Sequence, residues 1–396
     1  MKHLSVLLLL LMITPCLMAQ KKEIDQARSY VKSSSNLEQA EKLMKGLLEK
    51  DTANKNNKDI YLIWYQAVKK QYDAGNEKLY LKQQYDTAKM YHQTKRMFDI
   101  LMALDNIDAM PNAKGKVKPK YRKKHSKELD IYRANLYYGG AFFIKKGNYK
   151  DAYDMYDCYL EAAHHPLFQE KNYTTTDTLL ENAAYWATYS ACADNKPEQT
   201  LKWAIKAVNN SHHRLYVLQY MAEAYKTMND DEKYLETLIK GFGEAPKFSY
   251  FFPRLMDYYN ALEKYDTALS ITEKALEEDA NDQLFLYAKM MALYNLRKYD
   301  ICVEVCDKLT SLNDTIASAH YIAAMTFLNR TAEINHNIDN KQILRTYYEK
   351  ARPYMERYRK LMPNDSKKWA MPLYRIYLYL NMGKQFEEID KVLNDK

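Results

Sequence analysis

Histidine and carboxylate side chains are the first candidates for chemistry in this sequence. His164–His165 and His212–His213 are adjacent pairs. Neighbouring residues on a helix point in different directions, so neither pair has metal-ligand spacing by itself. The sequence contains no HExxH, GxSxG, Walker or glycine-rich dinucleotide motif, and no carboxylate pair is marked off as acid and base. We therefore predict that the protein is not an enzyme and has no metal and no cofactor.

A basic surface is the second candidate for function. Residues 114–127, KGKVKPKYRKKHSK, hold eight basic side chains and no acidic one. They are Lys114, Lys116, Lys118, Lys120, Arg122, Lys123, Lys124 and Lys127. Without them, the chain beyond residue 19 has 50 basic and 51 acidic side chains, so the net positive charge is local. One interpretation is a solvated loop and the start of a helix; the other is contact with anionic lipid headgroups, an acidic glycan or an acidic protein face.

The first 19 residues have the pattern of a secretory signal. Lys2 precedes an apolar run over residues 4–13, and Ala19 ends a plausible cleavage site. A run of about 10 apolar residues is half of the roughly 20 that span a bilayer. We expect export to the periplasm or cell envelope of a bacterium, where no nucleic-acid partner is expected. Pro15 stands where a lipoprotein signal has a small residue, which argues against lipidation of Cys16.

Four cysteines remain beyond the predicted signal: Cys158, Cys192, Cys302 and Cys306. Thiols in an oxidising compartment can pair. Cys302 and Cys306, however, are four residues apart on the apolar face of a predicted helix, where free cysteine serves as a small hydrophobic residue. We favour buried thiols, and the alternative of disulfides stays open.

The composition and a repeat of 34 residues predict a helical protein. Glycine (9 residues) and proline (10) are scarce while tyrosine reaches 37, which favours helices over the turns of a sheet protein. Three core positions recur at the 34-residue step. The first is Thr200, Tyr234, Ala268 and Cys302; the second is Ala204, Leu238, Thr272 and Cys306; the third is Ala207, Gly241, Ala275 and Leu309.

Residues 139–160, GGAFFIKKGNYKDAYDMYDCYL, carry the most complete unit. Its glycine, aromatic, turn, aromatic, alanine and aromatic positions are Gly140, Phe143, Gly147, Tyr149, Ala152 and Tyr156, and Pro246 stands on the closing proline of a later unit. A helix-turn-helix unit of this kind every 34 residues resembles the tetratricopeptide repeat (TPR) family. The resemblance implies an all-α fold, an α-solenoid in which TPR units stack into a right-handed superhelix.

The predicted organisation has three parts. Residues 1–19 are the signal peptide, and residues 20–130 form an N-terminal helical region with one TPR-like unit, a long helix over 77–105 and a basic loop over 114–127. Residues 131–396 form an array of about six to seven units, with insertions near 164–178 and 329–340. Because stacked units bury a core only with their neighbours, we expect one continuous array without separable domains.

The resemblance also implies a concave groove lined by the first helix of each unit. Its fifth motif positions correspond to Tyr137, Tyr185, Gln219, Pro253, Tyr287 and Tyr321, and its second positions include Tyr216 and Tyr250; ninth and twelfth positions add Tyr189 and Tyr294. Six of the first eight are tyrosine, whereas random placement of 37 tyrosines among 396 residues would give fewer than one. Tyrosine, glutamine and proline in the fifth positions argue against a Lys/Asn clamp for a partner's carboxylate.

These observations favour a non-enzymatic scaffold of the cell envelope that binds a partner protein or peptide in a tyrosine-lined groove. Tyrosine rings give large contact area for little lost side-chain entropy. The alternative is a glycan-binding envelope protein, because tyrosine also stacks on sugar rings. A hydrolase on the same helical scaffold is the least favoured hypothesis. The repeat leaves the identity of the partner, the membrane face and the oligomeric state open.

Overall fold

The computed structural model describes residues 20–112, 114–334 and 340–394. The predicted signal peptide with Cys16, and the centre of the insertion predicted near 329–340, lie outside these residues. The described chain consists of α-helices, two short 3-10 segments and connecting loops, without a strand. The predicted all-α fold is confirmed. None of the helices described is both long and apolar enough to cross a membrane.

The chain forms two compact units, residues 1–234 and 235–396. The first contains α1 (20–33), α2 (Leu37–Lys50), α3 (Lys58–Tyr80), α4 (Thr87–Asp108), α5 (Arg122–Asp130), α6 (Arg133–Lys145), α7 (Tyr149–His164), the short α8 (Tyr173–Thr176), α9 (Leu180–Ala193), α10 (Pro197–Ala207) and α11 (Arg214–Thr227). Helix α12 (Asp231–Glu244) spans the boundary. The second unit continues with α13 (Phe251–Ala261), α14 (Tyr265–Glu278), α15 (Gln283–Asn295), α16 (Tyr299–Leu312), α17 (Ala317–Glu333), α18 (Lys341–Leu361), α19 (Ser366–Tyr379) and α20 (Gly383–Asn394).

The 34-residue step of the sequence is the step of the second helices. α10, α12, α14 and α16 begin at Pro197, Asp231, Tyr265 and Tyr299. All twelve residues predicted for the three core positions are buried on these helices. Small side chains at these positions let the two helices of a hairpin approach closely.

A left-handed residue ends the first helix of each hairpin and also recurs every 34 residues. Asn195, Asn229, Glu263 and Arg297 have φ between 53° and 57°. The next backbone N–H then bonds back to a carbonyl of the last helical turn, as from Lys264 to Tyr259 O at 2.9 Å. This is the Schellman arrangement, which satisfies carbonyls that the helix end leaves unpaired. Gly147 has the same place in the α6–α7 hairpin, with φ 69°.

Two glycines allow aromatic rings to pack against a helix backbone. A Cβ on Gly140 would lie 2.4 Å from the ring of Tyr156, and one on Gly241 would lie 2.3 Å from the ring of Phe251. Both distances are far below van der Waals contact. The glycine and aromatic positions of the repeat are therefore linked by steric fit.

The structure corrects two predictions for the N-terminal region. The single long helix over residues 77–105 is wrong, because α3 ends at Tyr80 and α4 begins at Thr87. Lys82 adopts a left-handed conformation, and the Asp86 side chain caps α4 by accepting the N–H groups of Ala88 and Lys89. The predicted basic loop is a loop only up to Tyr121, since residues 122–127 belong to α5.

The units also divide differently from the predicted array. The core of the first unit runs without interruption from helix α3 to helix α11 across residue 130, where we expected a boundary. The packing instead divides the chain after Tyr234, where we expected no division. The insertion predicted at 164–178 is present as a 3-10 turn (Pro166–Lys171) and α8, and Phe168 from this turn stacks on Phe98 of α4.

Candidate functional site

Tyrosines at the predicted groove positions connect successive first helices in the first unit. The hydroxyl oxygen of Tyr137 on α6 accepts a hydrogen bond of 2.7 Å from the Asn182 amide on α9. Tyr189 on α9 lies 5.8 Å from the ring of Tyr220 on α11. The first helices therefore meet along a face built from aromatic rings and their hydroxyl groups.

Five side chains form an aromatic cluster on α9 and α11: Tyr185, Trp186, Tyr189, His213 and Tyr220. Tyr185 stacks on His213 with ring centroids 4.0 Å apart, and Trp186 meets Tyr189 edge to face at 5.7 Å. Burial is the main reason why the pKa of Tyr220 is raised above its ordinary value. The hydroxyl groups of this cluster stay neutral and serve as hydrogen-bonding groups.

The sequence-based prediction missed three aromatic residues of the first helices. Tyr138, Trp186 and Tyr220 occupy equivalent positions, one residue after the fifth motif position of their units. Tyr138 is well exposed, and the other two are half-buried. The 34-residue step from Trp186 to Tyr220 was the available signal.

The eight predicted groove tyrosines differ in how much surface they offer. Tyr216 and Tyr287 are exposed, at 46% and 38% of their surface. Tyr137, Tyr189, Tyr294 and Tyr321 are half-buried. Tyr185 and Tyr250 are buried, the former beneath His213 and the latter with the Arg254 guanidinium 3.6 Å from its ring centre. These two contribute mainly packing, and the role of the eight in partner binding stays a prediction.

An open concavity of about 490 Å³ lies beside Tyr294 in the second unit. The hydroxyl oxygen of Tyr294 on α15 accepts a hydrogen bond of 3.1 Å from the Asn329 amide on α17. The concavity is lined by Tyr294, Asn295, Arg297, Tyr299, Asn329, Ala332 and Glu333. It combines aromatic rings with amide, guanidinium and carboxylate groups in one small surface.

Seven of the eight basic residues of the basic surface are exposed: Lys114, Lys116, Lys118, Lys120, Lys123, Lys124 and Lys127. Arg122 differs, because it forms a two-pronged ion pair with the buried Asp105 of α4, with its closest contact at 2.7 Å. The hydrogen bond to Asp105 raises the pKa of Arg122 further. Arg122 therefore belongs to the fold, and the lysines belong to the surface.

The histidine pairs have packing and capping roles. His165 Nδ1 accepts the backbone N–H of Leu167, and burial lowers the pKa of this imidazole. His164 stacks on Trp203. Among residues 20–112, 114–334 and 340–394, no group of three His, Cys, Asp or Glu side chains has the arrangement of a metal site.

The four described cysteines are free thiols. Cys158, Cys302 and Cys306 are buried, as favoured from the sequence, and Cys192 is half-buried. Burial raises the pKa of Cys192 to about 11, so its thiol is protonated at neutral pH. No nucleophilic site forms around these thiols in the described part of the chain.

The helix spacing, the left-handed turn and the buried small positions together define the architecture. The fold is that of a tetratricopeptide repeat array. No profile of a known protein family matches the chain, and a search of curated proteins finds no similar sequence.

Solved structures with TPR-like hairpins are similar over part of the chain. MamA AMB-1 matches with 17% identity and a TM-score of 0.34, over 49% of this chain and 98% of its own. The C-terminal part of a TPR repeat-containing protein from Cytophaga hutchinsonii matches with 14% identity and a TM-score of 0.43, over 64% and 92%. PilF from Pseudomonas aeruginosa matches with 16% identity and a TM-score of 0.34, over 60% and 96%. These scores are low, so the architecture is established by the chain's own TPR geometry.

Proposed function

We propose that this TPR protein is a non-enzymatic scaffold that binds an extended segment of a partner protein on the aromatic faces of its first helices. The observation that carries the proposal is the exposure of Tyr216 on α11 and Tyr287 on α15, beside half-buried tyrosines at equivalent positions. Aromatic rings that bury apolar area and keep a hydroxyl group are common at protein interfaces.

The mechanism consists of pre-organised binding. Tyr137 is held by Asn182, and Tyr294 is held by Asn329, so these rings keep their positions before a partner arrives. A rigid ring loses little conformational entropy on binding, which increases affinity for a given contact area. The partner is a peptide bound along its length, since the fifth positions lack the Lys and Asn of a carboxylate clamp.

We further propose that the scaffold works in the periplasm or at the cell envelope. The support for this location is the charged and apolar pattern of residues 1–19. Fractionation of cells that produce the full chain tests it. Protein recovered in the envelope or periplasmic fraction, shortened at its N-terminus, is the expected result, and full-length protein in the cytoplasm would contradict it.

A glycan is the second candidate ligand, and the concavity beside Tyr294 is the observation that favours it. Tyr294 and Tyr299 provide rings, while Asn295, Asn329 and Glu333 provide hydrogen-bonding groups of the kind that bind sugar hydroxyls. A sugar site would depend on this one concavity, whereas a peptide would depend on rings along several first helices. Titration with envelope oligosaccharides, with Tyr294→Ala as the variant, separates the two candidates.

Affinity purification from native cell extract tests the scaffold proposal. The test variant is Tyr216→Ala/Tyr287→Ala, and the matched control is Ile205→Ala/Ile301→Ala, which removes exposed apolar side chains from the second helices α10 and α16. We expect one discrete protein to be recovered with wild type and control and to fall by about tenfold with the tyrosine variant, as for loss of interface anchors. Equal recovery with both variants would overturn the proposal.

A further inference from the structure

The lysines of the basic surface extend from a loop with fixed geometry. The Asn112 side chain accepts the backbone N–H groups of Lys114 and Lys116, at 2.9 and 3.1 Å. Gly115 has φ +70° and its N–H bonds to Asn112 O at 2.8 Å, which closes a tight turn. The lysine side chains therefore start from an ordered backbone.

Two buried carboxylates anchor the other end of the segment to helix α4. Asp105 holds Arg122, and Asp108 accepts the Tyr121 backbone N–H at 2.8 Å. Asp108 also pairs with Lys58 of α3 at 2.8 Å. Both acidic groups that lie close to the segment are thus engaged at its base, away from the exposed lysines.

The seven exposed lysines have no ion pair among the described residues. Helix stability does not explain them either, because α5 begins with Arg122, Lys123 and Lys124 and has no acidic residue in its first turn. Positive charge at the N-terminal end of a helix opposes the helix dipole. The chain therefore keeps this charge at a position where the fold alone would disfavour it.

Apolar side chains lie within and beside the lysines. Val117, between Lys116 and Lys118, is 57% exposed, and Met110 at the end of α4 is 54% exposed. Lysines around an exposed apolar tip suit the boundary of a membrane, where ammonium groups meet phosphates while the apolar tip enters the acyl region. A soluble polyanion offers charge but no apolar phase for Val117.

We propose that residues 114–127, with Met110, dock the protein on an anionic phospholipid surface. Lysine ammonium groups bind lipid phosphates, and Val117 inserts at the interface between headgroups and acyl chains. This contact is separate from the aromatic faces of the first helices, so the protein can hold a partner at the membrane surface. The attraction is electrostatic and falls with ionic strength, since the Debye length shortens from about 10 Å at 0.1 M salt to about 3 Å at 1 M.

Vesicle co-sedimentation of the purified chain tests the proposal. The vesicles are phosphatidylcholine with phosphatidylglycerol, and phosphatidylcholine alone. The test variant is Lys114→Gln/Lys116→Gln/Lys118→Gln/Lys120→Gln. The matched control is Lys32→Gln/Lys274→Gln/Lys360→Gln/Lys384→Gln, which removes the same charge from other exposed positions. We expect binding to anionic vesicles only, a loss of about tenfold or more in the test variant, and near wild-type binding in the control.

Val117→Ser separates a lipid surface from an acidic polymer or protein face. We expect this variant to bind anionic vesicles several-fold more weakly while it binds polyglutamate as the wild type does. The proposal is overturned if wild type ignores anionic vesicles, or if the control loses as much as the test variant. It is also overturned if Val117→Ser has no effect and polyglutamate displaces the vesicles fully, because the surface then binds polyanions in general. Circular dichroism melting of each variant confirms that it is folded.

Discussion

The guanidinium of Arg133 on α6 pairs with the carboxylate of Asp177 at 2.6 Å, although 44 residues separate them. Their side chains are 8% and 10% exposed. The guanidinium also lies between two rings, 3.7 Å from Tyr159 and 4.0 Å from Tyr173. Tyr159 donates its hydroxyl to the same carboxylate. This contact fastens the insertion between α7 and α9 to the first helix of the preceding hairpin.

Replacing Arg133 by methionine should lower the free energy of unfolding of the first unit by about 3–5 kcal/mol. The change leaves the Asp177 carboxylate buried without its cation and removes the guanidinium from between the two rings. Chemical denaturation followed by tryptophan fluorescence measures the effect. The double variant Arg133→Met/Asp177→Asn should recover part of the loss, because no uncompensated charge remains. A loss below about 0.5 kcal/mol for the single variant, the level of a surface pair, would contradict this role.

The same carboxylate predicts sensitivity to acid. Burial works to raise the pKa of Asp177, but hydrogen bonds from Tyr159, the Leu179 backbone and Arg133 outweigh it and hold the pKa below its ordinary value. A group with a lowered folded-state pKa stabilises the fold above its unfolded value of about 3.9, and this stability is lost as pH falls through the folded-state value. Unfolding free energy should therefore stay level from pH 7 to pH 5 and decline below about pH 4. Tyr159→Phe should flatten the decline, and an unchanged slope would argue against Asp177 as its source.

The left-handed turn residues offer a reciprocal pair of substitutions. Glu263 has φ 53°, which costs a residue with a Cβ about 1 kcal/mol or more, so Glu263→Gly should stabilise the second unit by about 0.5–1 kcal/mol. Gly147 has φ 69°, and a Cβ added to it would have no atom within 4 Å. Gly147→Glu should therefore destabilise the first unit by about 1 kcal/mol through the backbone alone. Thermal melting measures both, and equal signs would refute the argument.

A second pair of glycines separates steric fit from helix propensity. Gly140→Ala places a methyl group 2.4 Å from the Tyr156 ring and should destabilise by about 1–3 kcal/mol. Gly46→Ala on α2 meets nothing within 4 Å and should stabilise by about 0.5–1 kcal/mol, because alanine favours the helix. Both variants are compared by denaturant titration. Stabilisation by Gly140→Ala would show that the ring moves aside freely.

The repeat could be predicted from the sequence because steric fit fixes it at a regular step. Ala204, Thr272 and Cys306 had to be small or apolar wherever two helices touch, and all are buried. The break between α3 and α4 was missed because no glycine or proline marks it, and Lys82 adopts the left-handed conformation there. Asp86, which caps α4, was the residue that could have revealed it.

The accessible surface of the groove was less predictable than its positions. Tyr185 and Tyr287 share one motif position, yet the first is buried and the second is exposed. The difference depends on His213, which precedes α11 and stacks on Tyr185. The Arg133–Asp177 contact was also beyond the sequence, since it connects an insertion to a hairpin outside the repeat pattern.

Photo-crosslinking at Tyr287 tests the proposed scaffold most directly. Benzoylphenylalanine replaces Tyr287 on α15, and in a control strain it replaces the exposed Ile301 on the second helix α16 of the same hairpin. After irradiation of living cells, mass spectrometry identifies each adduct and the crosslinked peptide. We predict one discrete protein at Tyr287, joined through one continuous stretch of its sequence, and no such adduct at Ile301. No protein adduct at Tyr287, or the same set of proteins at both positions, would contradict partner binding on the first helices.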